Sequence, residues 1–183
     1  MNQQRNKVRI IGGDYRRRVL AFPDSAGLRP TPDRVRETVF NWLGQDLTGR
    51  RCLDLFAGSG AMGFEAVSRR ALHVVMVEKS RSVAETLKTN QRLLGANTLE
   101  VVCADALQYI KSCGAHFDVI FLDPPYDSEL LGAVLPQLAS ILAEDGVVYV
   151  ESRVWPELPG WIELRRDRAG VVRYGLITPS SAM

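Results

Sequence analysis

The chain is 183 residues long, with 46% hydrophobic and 24% charged residues and a net charge of +2. This predicts one soluble globular domain with a full core and at most a small appendage. No apolar run approaches the roughly 20 residues that span a bilayer, and the polar N-terminus lacks a signal peptide's apolar stretch, so we expect a cytoplasmic protein. The spacing of the three cysteines is not that of a metal site, which favours their interpretation as reduced thiols without a metal. They are Cys52, Cys103 and Cys113.

The small net charge conceals an uneven distribution. Residues 1–36 contain nine lysines and arginines but only three aspartates. Such a basic segment indicates a polyanion such as nucleic acid as the partner, although a solvated face that keeps the protein in solution would show the same bias. Arg34 and Arg36, expected at the mouth of the pocket, could instead pair with Asp33 or Glu37 on the same helix. The candidate nucleic-acid contacts are Arg9, Arg16, Arg17, Arg18, Arg34 and Arg36.

The first elements in chain order are predicted to form a β-hairpin. Residues 8–11 and 18–22 have the pattern of strands, and Gly12-Gly13-Asp14 indicates the turn between them. A loop follows, and we expect Thr31 to cap a helix that has Pro32 at its first position. The apolar stripe of that helix consists of Val35, Val39, Trp42 and Leu43.

From residue 51 onward, strand and helix patterns alternate. Strands are predicted at 51–55, 73–77, 99–103, 117–122 and 146–151, and helices at 60–70, 80–94, 105–112 and 129–142. Continuously apolar strands are typical of parallel sheets covered on both faces, so we predict an α/β, Rossmann-like doubly wound sheet. Segments 161–164 and 171–176 lack a helix between them and should form an antiparallel hairpin at the sheet edge. We divide the chain into a basic hairpin and linker at 1–30 and a main domain at 31–183.

A glycine-rich loop follows the first strand of this sheet. Residues 58–63 match the pattern G-x-G-x-x-G and open a helix. Glycines permit a tight turn and let a ligand approach the backbone closely. Taken alone, the pattern fits a dinucleotide site, an S-adenosylmethionine site or merely close packing of strand and helix.

Three acids narrow the choice of cofactor. Asp54, Glu78 and Asp105 follow neighbouring strands, at the carboxyl edge where such sheets bind ligands. Glu78 suits the hydroxyls of a ribose, Asp105 the amine of adenine, and Asp54 a cationic amino-acid group, although Asp105 could also cap a helix. S-adenosylmethionine offers all three groups, whereas Asp54 would repel the pyrophosphate of NAD. The candidate cofactor-binding residues are Asp54, Phe56, Ala57, Gly58, Ser59, Gly60, Glu78, Asp105 and Ala106.

A second candidate site, Asp123-Pro124-Pro125-Tyr126, follows the apolar strand at 117–122. The amine of a nucleobase is a poor nucleophile because its lone pair is delocalised into the ring. The Asp123 carboxylate, with an ordinary pKa of about 3.9, and the Pro124 carbonyl can accept its hydrogens, while Tyr126 stacks on a base swung out of its helix. A rigid turn without chemistry is the alternative. The predicted strand order brings this segment beside Asp54, so that donor and target meet in one crevice.

These segments resemble the bacterial small-subunit ribosomal RNA guanine-N2 methyltransferase D family of class I methyltransferases. The resemblance rests on residues 8–13, 28–37, 54–60, 68–71 and 123–126. Segment 29–37, Arg-Pro-Thr-x-Asp-Arg-Val-Arg-Glu, discriminates most, because the other motifs recur in many amino-methyltransferases. Position 32 is proline where threonine is common in the family, and a helix start tolerates either.

The resemblance implies methylation of one guanine N2 in ribosomal RNA, within a partly assembled small subunit. We expect the enzyme to be a monomer. It also implies a seven-stranded sheet with an antiparallel last strand. Two alternatives remain open at this point. One is an adenine-N6 DNA methyltransferase, which usually needs a sizeable target-recognition region that this chain has little room for. The other is a non-catalytic RNA-binding assembly factor with a vestigial cofactor pocket.

Overall fold

The computed structural model describes residues 6–25, 27–125 and 129–180. Strands β1 (Asn6–Arg9) and β2 (Val19–Phe22) pair antiparallel, which confirms the N-terminal hairpin. Strand β1 ends two residues earlier than predicted, because Ile11 and Gly12 donate their N–H groups to the carboxylate of Glu65 rather than to a partner strand. The chain between the two strands is thereby fixed to the main domain.

The main sheet has seven strands, which are β3 (Arg51–Asp54), β4 (His73–Glu78), β5 (Leu99–Cys103), β6 (Phe117–Leu122), β7 (Leu142–Ser152), β8 (Trp161–Ala169) and β9 (Val172–Pro179). Their order across the sheet is β5-β4-β3-β6-β7-β9-β8. The last strand along the chain, β9, is antiparallel to both of its neighbours, and the other pairings are parallel, as predicted. The strand order reverses direction at β3, between β4 and β6, and such a switch point is where open α/β sheets bind ligands.

Helices cover both faces of the sheet, which explains the continuously apolar strands. The helices are α1 (Asp33–Trp42), α2 (Ala61–Ser68), α3 (Arg81–Leu94), α4 (Ala106–Ser112) and α5 (Leu130–Leu138). One core contains buried residues of the hairpin and of α1, α2 and α3, such as Leu20, Phe40 and Phe64. The other core lies under α4 and α5 and includes Ile110 and Leu138. Among the described helices, none combines the length and apolarity that a membrane crossing requires.

The predicted Thr31 cap of helix α1 is wrong. Pro32 is the N-cap residue, and no side chain caps the helix. Thr31 is buried and donates its hydroxyl to Oε2 of Glu151 at 3.4 Å. The N-cap preference is a local rule, whereas the partner that Thr31 finds is distant in the chain.

Strand β7 begins earlier than the predicted 146–151, and the preceding helix ends sooner. Helix α5 gives way to a short 3₁₀ turn at Ala139–Ile141, and Leu142 then pairs with Phe117. The register shifts before Val147 pairs with Val119, so the intervening residues form a bulge in which Asp145 has a φ of 59°. The polar segment inside the strand therefore looks like a loop in the sequence.

Candidate active site

Three carboxylates lie at the carboxyl ends of neighbouring strands. Asp54 pairs with Phe121 across β3 and β6, and Leu122 pairs with Val150 across β6 and β7. The residues that follow, Asp123 and Glu151, therefore lie side by side, two positions beyond Asp54. Because side chains alternate along a strand, all three acids point to the face that carries α1 and α2. The predicted convergence of the two sites is confirmed.

A cavity of about 470 Å³ opens at this edge of the sheet. The predicted residues that line it are Asp54, Phe56, Ala57, Gly58, Ser59, Glu78, Asp105, Ala106, Asp123, Pro124 and Pro125. Gly60 is not among the lining residues: it has a φ of 80° and forms the N-cap of α2. Tyr126 lies outside the described residues. The cavity thus contains most of both predicted sites.

Glu78 connects the glycine-rich loop to helix α3. Its Oε2 accepts the Gly58 N–H at 2.9 Å, and its Oε1 accepts the Ser80 N–H at 2.8 Å. Each carboxylate oxygen has a second lone pair, so both can still accept a hydrogen bond from a ligand. Gly58 has a φ of 52°, a left-handed conformation that favours glycine, and a Cβ there would lie 2.8 Å from Cδ1 at the end of the Leu28 side chain.

Asp54 is buried, and its Oδ2 accepts the Gly63 N–H at 3.0 Å. Burial raises the pKa of Asp54 to about 7, with a smaller upward contribution from Glu78 and a downward one from the Gly63 N–H. The carboxyl therefore changes charge near neutral pH. A cation bound beside it would hold it in the ionised form.

Asp105 caps helix α4, which is the alternative role that the sequence allows for it. Its Oδ1 accepts the Gln108 N–H at 3.2 Å at the start of α4, and Lys79 Nζ lies 3.9 Å from its Oδ2. The same side chain lines the cavity. Capping and contact with a ligand are therefore compatible at this position.

The prediction of an ordinary, freely ionised Asp123 is wrong. Burial raises its pKa well above the usual value, and the charges of Glu151 and Asp54 and a hydrogen bond with Glu151 add to the effect. The buried Glu151 beside the half-buried Asp123 makes ionisation of Asp123 unfavourable. Asp123 therefore holds a proton more readily than an exposed aspartate does.

Sequence reasoning missed Glu151 and the groups that hold it. Glu151 is buried, and its Oε2 accepts hydrogen bonds from Tyr149 Oη at 2.8 Å and from Thr31 Oγ1 at 3.4 Å. A signal was present, because Glu151 ends an apolar strand as Asp54 and Glu78 do. Leu28 and Arg29 also line the cavity, and the loop that contains them has no periodicity to reveal this.

Arg36 is not available to a nucleic acid, so its predicted role is wrong. Its side chain is only 1% exposed and forms ion pairs with Asp33 at 2.6 Å and Glu65 at 3.3 Å. It also donates to the carbonyls of Thr31 and Arg9. Burial lowers the pKa of Arg36, and the two acids oppose that effect. The alternative pairing with Asp33 is confirmed, and Arg36 joins the hairpin to helices α1 and α2.

The other five arginines are exposed, but the turn at 16–18 is far from the cavity. Tyr15 donates its N–H to Ser68 at the end of α2, and Arg18 donates to the Leu93 carbonyl near the end of α3. Both helices begin at the cavity and run away from it, over about 12 and 21 Å at 1.5 Å per residue. The turn therefore lies at the opposite edge of the sheet. The five exposed residues are Arg9, Arg16, Arg17, Arg18 and Arg34.

Comparison with known proteins identifies the family. A sequence model of the family described as Conserved hypothetical protein 95 matches residues 8–177. Ribosomal RNA small subunit methyltransferase D of Escherichia coli K12 is 43% identical over 176 residues, covering 93% of this chain and 89% of that protein. The chain belongs to this family. The Haemophilus influenzae protein of the same name is 40% identical over 183 residues, with 94% of each chain covered.

Two solved structures have the same fold. The Escherichia coli protein yhhF superimposes with a TM-score of 0.88 at 40% identity and covers 97% of this chain and 100% of its own. The protein SMU.776, solved in complex with SAH, superimposes with a TM-score of 0.72 over 87% of this chain and 53% of its own. At 14% identity, SMU.776 supports the shared fold alone.

Proposed function

We propose that this protein transfers a methyl group from S-adenosylmethionine to the exocyclic N2 of a guanine in small-subunit ribosomal RNA. The observation that carries the proposal is the placement of Asp54 and Asp123 at the ends of neighbouring strands, in one cavity. This joins a glycine-rich cofactor loop to an Asp-Pro-Pro segment that can hold an amine. The names of the family members in Escherichia coli and Haemophilus influenzae support ribosomal RNA as the substrate.

The cofactor supplies a methyl group made electrophilic by a sulfonium. The chain offers a partner for each polar part of that molecule, in a cavity whose volume is typical of small-molecule sites. Glu78 would accept hydrogen bonds from the ribose hydroxyls with its remaining lone pairs, and Asp105 would accept one from the adenine amine. Asp54 would hold the cationic amino-acid end, and that positive charge would keep it ionised.

Asp123, held beside Glu151, prepares the target amine. In its ionised form Asp123 accepts one hydrogen of the amine, and the Pro124 carbonyl accepts the other. These contacts favour the pyramidal nitrogen with a free lone pair. As the N–C bond forms and the S–C bond breaks, the negative charge of Asp123 stabilises the positive charge on nitrogen. Asp123 then takes the proton that the nitrogen releases.

The two prolines hold the acceptors rigid. Pro124 is buried and Pro125 is exposed at the rim of the cavity. A fixed φ and the absence of an N–H keep the carbonyl at one place, so alignment of amine and methyl contributes much of the rate. Tyr126 stacks on the flipped guanine in this proposal. The enzyme works as a cytoplasmic monomer on RNA in a partly assembled small subunit.

Radiolabelled S-adenosylmethionine tests the proposal directly. Purified protein is incubated with small ribosomal subunits, and with their protein-free RNA, from cells that lack it, and the RNA is digested to nucleosides. Label in N2-methylguanosine is the expected result. Label in N6-methyladenosine, with DNA as the better substrate, would support an adenine methyltransferase instead. Tight RNA binding without transfer would support an assembly factor.

A further inference from the structure

Two arginines lie directly opposite each other in the C-terminal hairpin. Arg168 of β8 and Arg173 of β9 are cross-strand partners, and both are exposed. Like charges placed opposite each other destabilise an antiparallel pair. The arrangement therefore costs stability unless an anion binds between the two guanidinium groups.

No acid of the described residues forms an ion pair with either arginine. Asp167 is adjacent to Arg168 in the chain, but it faces the other side of the sheet, where its Oδ2 accepts a hydrogen bond from Tyr174 Oη at 3.4 Å. Glu163, on the same strand, pairs with Arg166 at 3.3 Å. The positive charge of the opposed pair thus stays uncompensated within the described ranges.

The pair lies at the edge of the sheet that carries the cavity. Arg173 is opposite Ser152, which directly follows Glu151. Strands β6, β7, β9 and β8 are consecutive neighbours, so the backbone of Arg168 is three strands from that of Asp123, or about 14 Å at the usual strand spacing. The side chains of Arg168 and Arg173 project from the other face of the sheet to that of Asp123, so they can reach a ligand only around the rim of the cavity. Arg153, also exposed, follows Ser152 at the same edge. The basic turn at 16–18, by contrast, lies at the far edge.

We propose that Arg168 and Arg173 together bind phosphates of the RNA strand beside the target guanine. This inference rests on the proposed function, because a guanine that enters the cavity brings its flanking phosphates to this rim. Guanidinium groups bind phosphate oxygens with paired hydrogen bonds, and such contacts fix the register of the nucleic acid without reading its sequence. The C-terminal hairpin thereby positions the substrate at the cavity.

The double variant R168Q/R173Q tests the proposal against the matched variant R50Q/R51Q. Both remove two exposed arginine charges, but Arg50 and Arg51 are at the start of β3, at the opposite edge. Affinity for protein-free small-subunit RNA is measured as a function of salt. R168Q/R173Q should bind about tenfold more weakly, with a salt slope reduced by about 1.4–1.8. Its cofactor affinity and melting temperature should not fall, and R168K/R173K should recover part of the RNA affinity.

Unchanged RNA affinity and salt slope in R168Q/R173Q would overturn the proposal. An equal loss in R50Q/R51Q would also overturn it, because the effect would then come from net charge alone. Loss of activity on subunits with intact affinity for free RNA would assign the pair to a protein partner. The wild-type nucleoside product decides the proposed function separately, since RNA affinity is measured without methyl transfer.

Discussion

Tyr149 donates a hydrogen bond of 2.8 Å to the buried carboxylate of Glu151, which in turn lies against Asp123. Glu151 is thus a positioning residue: the strand register and the phenol fix its place, and it controls how Asp123 holds a proton. The first prediction concerns this control. Replacing Glu151 with glutamine removes a charge that raises the pKa of Asp123.

In E151Q, Asp123 should ionise at a lower pH than in the wild type. The activity needs an ionised carboxyl and is lost as pH falls, so the acidic limb of the kcat–pH profile should move to lower pH. We also expect kcat to fall about tenfold, because Asp123, which accepts the hydrogen of the amine, loses the carboxyl of Glu151 as its hydrogen-bond partner. E157Q, at an exposed position, is the charge-matched control. An acidic limb that stays at its wild-type position in E151Q would refute this role.

Removing the Asp123 carboxyl should stop the reaction without lowering the affinity for the cofactor. D123A and D123N should lower single-turnover methyl transfer by at least about 100-fold, as expected when a preorganised electrostatic contact is lost. Calorimetric titration should give a cofactor affinity close to that of the wild type. Turnover retained in either variant would remove Asp123 from the mechanism.

Cofactor affinity should depend on pH through Asp54. Its pKa is about 7 in the free protein, and a bound cation lowers it, so binding below pH 7 releases a proton. Affinity should therefore rise about tenfold between pH 6 and 8 and then level off. D54N should bind more weakly and lose this dependence. The slope is measured by titration at several pH values, and a flat wild-type profile would contradict the assignment.

Arg36 should matter for stability rather than for RNA binding. R36M leaves the carboxylate of Glu65 buried with fewer partners, so the free energy of unfolding should fall by about 3 kcal/mol. R34M, at an exposed position of the same helix, should change stability little. Denaturant unfolding measures both variants. Equal stability of the two would show that the buried ion pair contributes little.

The alternating part of the chain could be predicted because its signals are local. Continuously apolar strands indicate a parallel sheet that is covered on both faces. Acids at the carboxyl ends of such strands contact ligands, and this rule predicted Asp54, Glu78 and Asp105. Glu151 obeys the same rule, but its partnership with Asp123 depends on the register of β6 and β7. That register follows a bulge, which the sequence does not reveal.

Two other residues were misjudged for one physical reason. Local rules predict a surface role for Arg36 and a helix-capping role for Thr31. In the structure, each forms a hydrogen bond with a buried carboxylate that is distant in the chain. Arg36 pairs with Glu65, 29 residues away, and Thr31 donates to Glu151, 120 residues away. Burial of a charge or hydroxyl depends on such remote partners, and periodicity carries no information about them.

The central claim is tested most directly by mass mapping of small-subunit ribosomal RNA from cells that lack the protein. The account predicts that one guanine loses its N2-methyl group, that the wild-type gene restores it, and that the gene encoding D123A does not. A complete set of methylguanines in the deleted cells, or restoration by D123A, would contradict it.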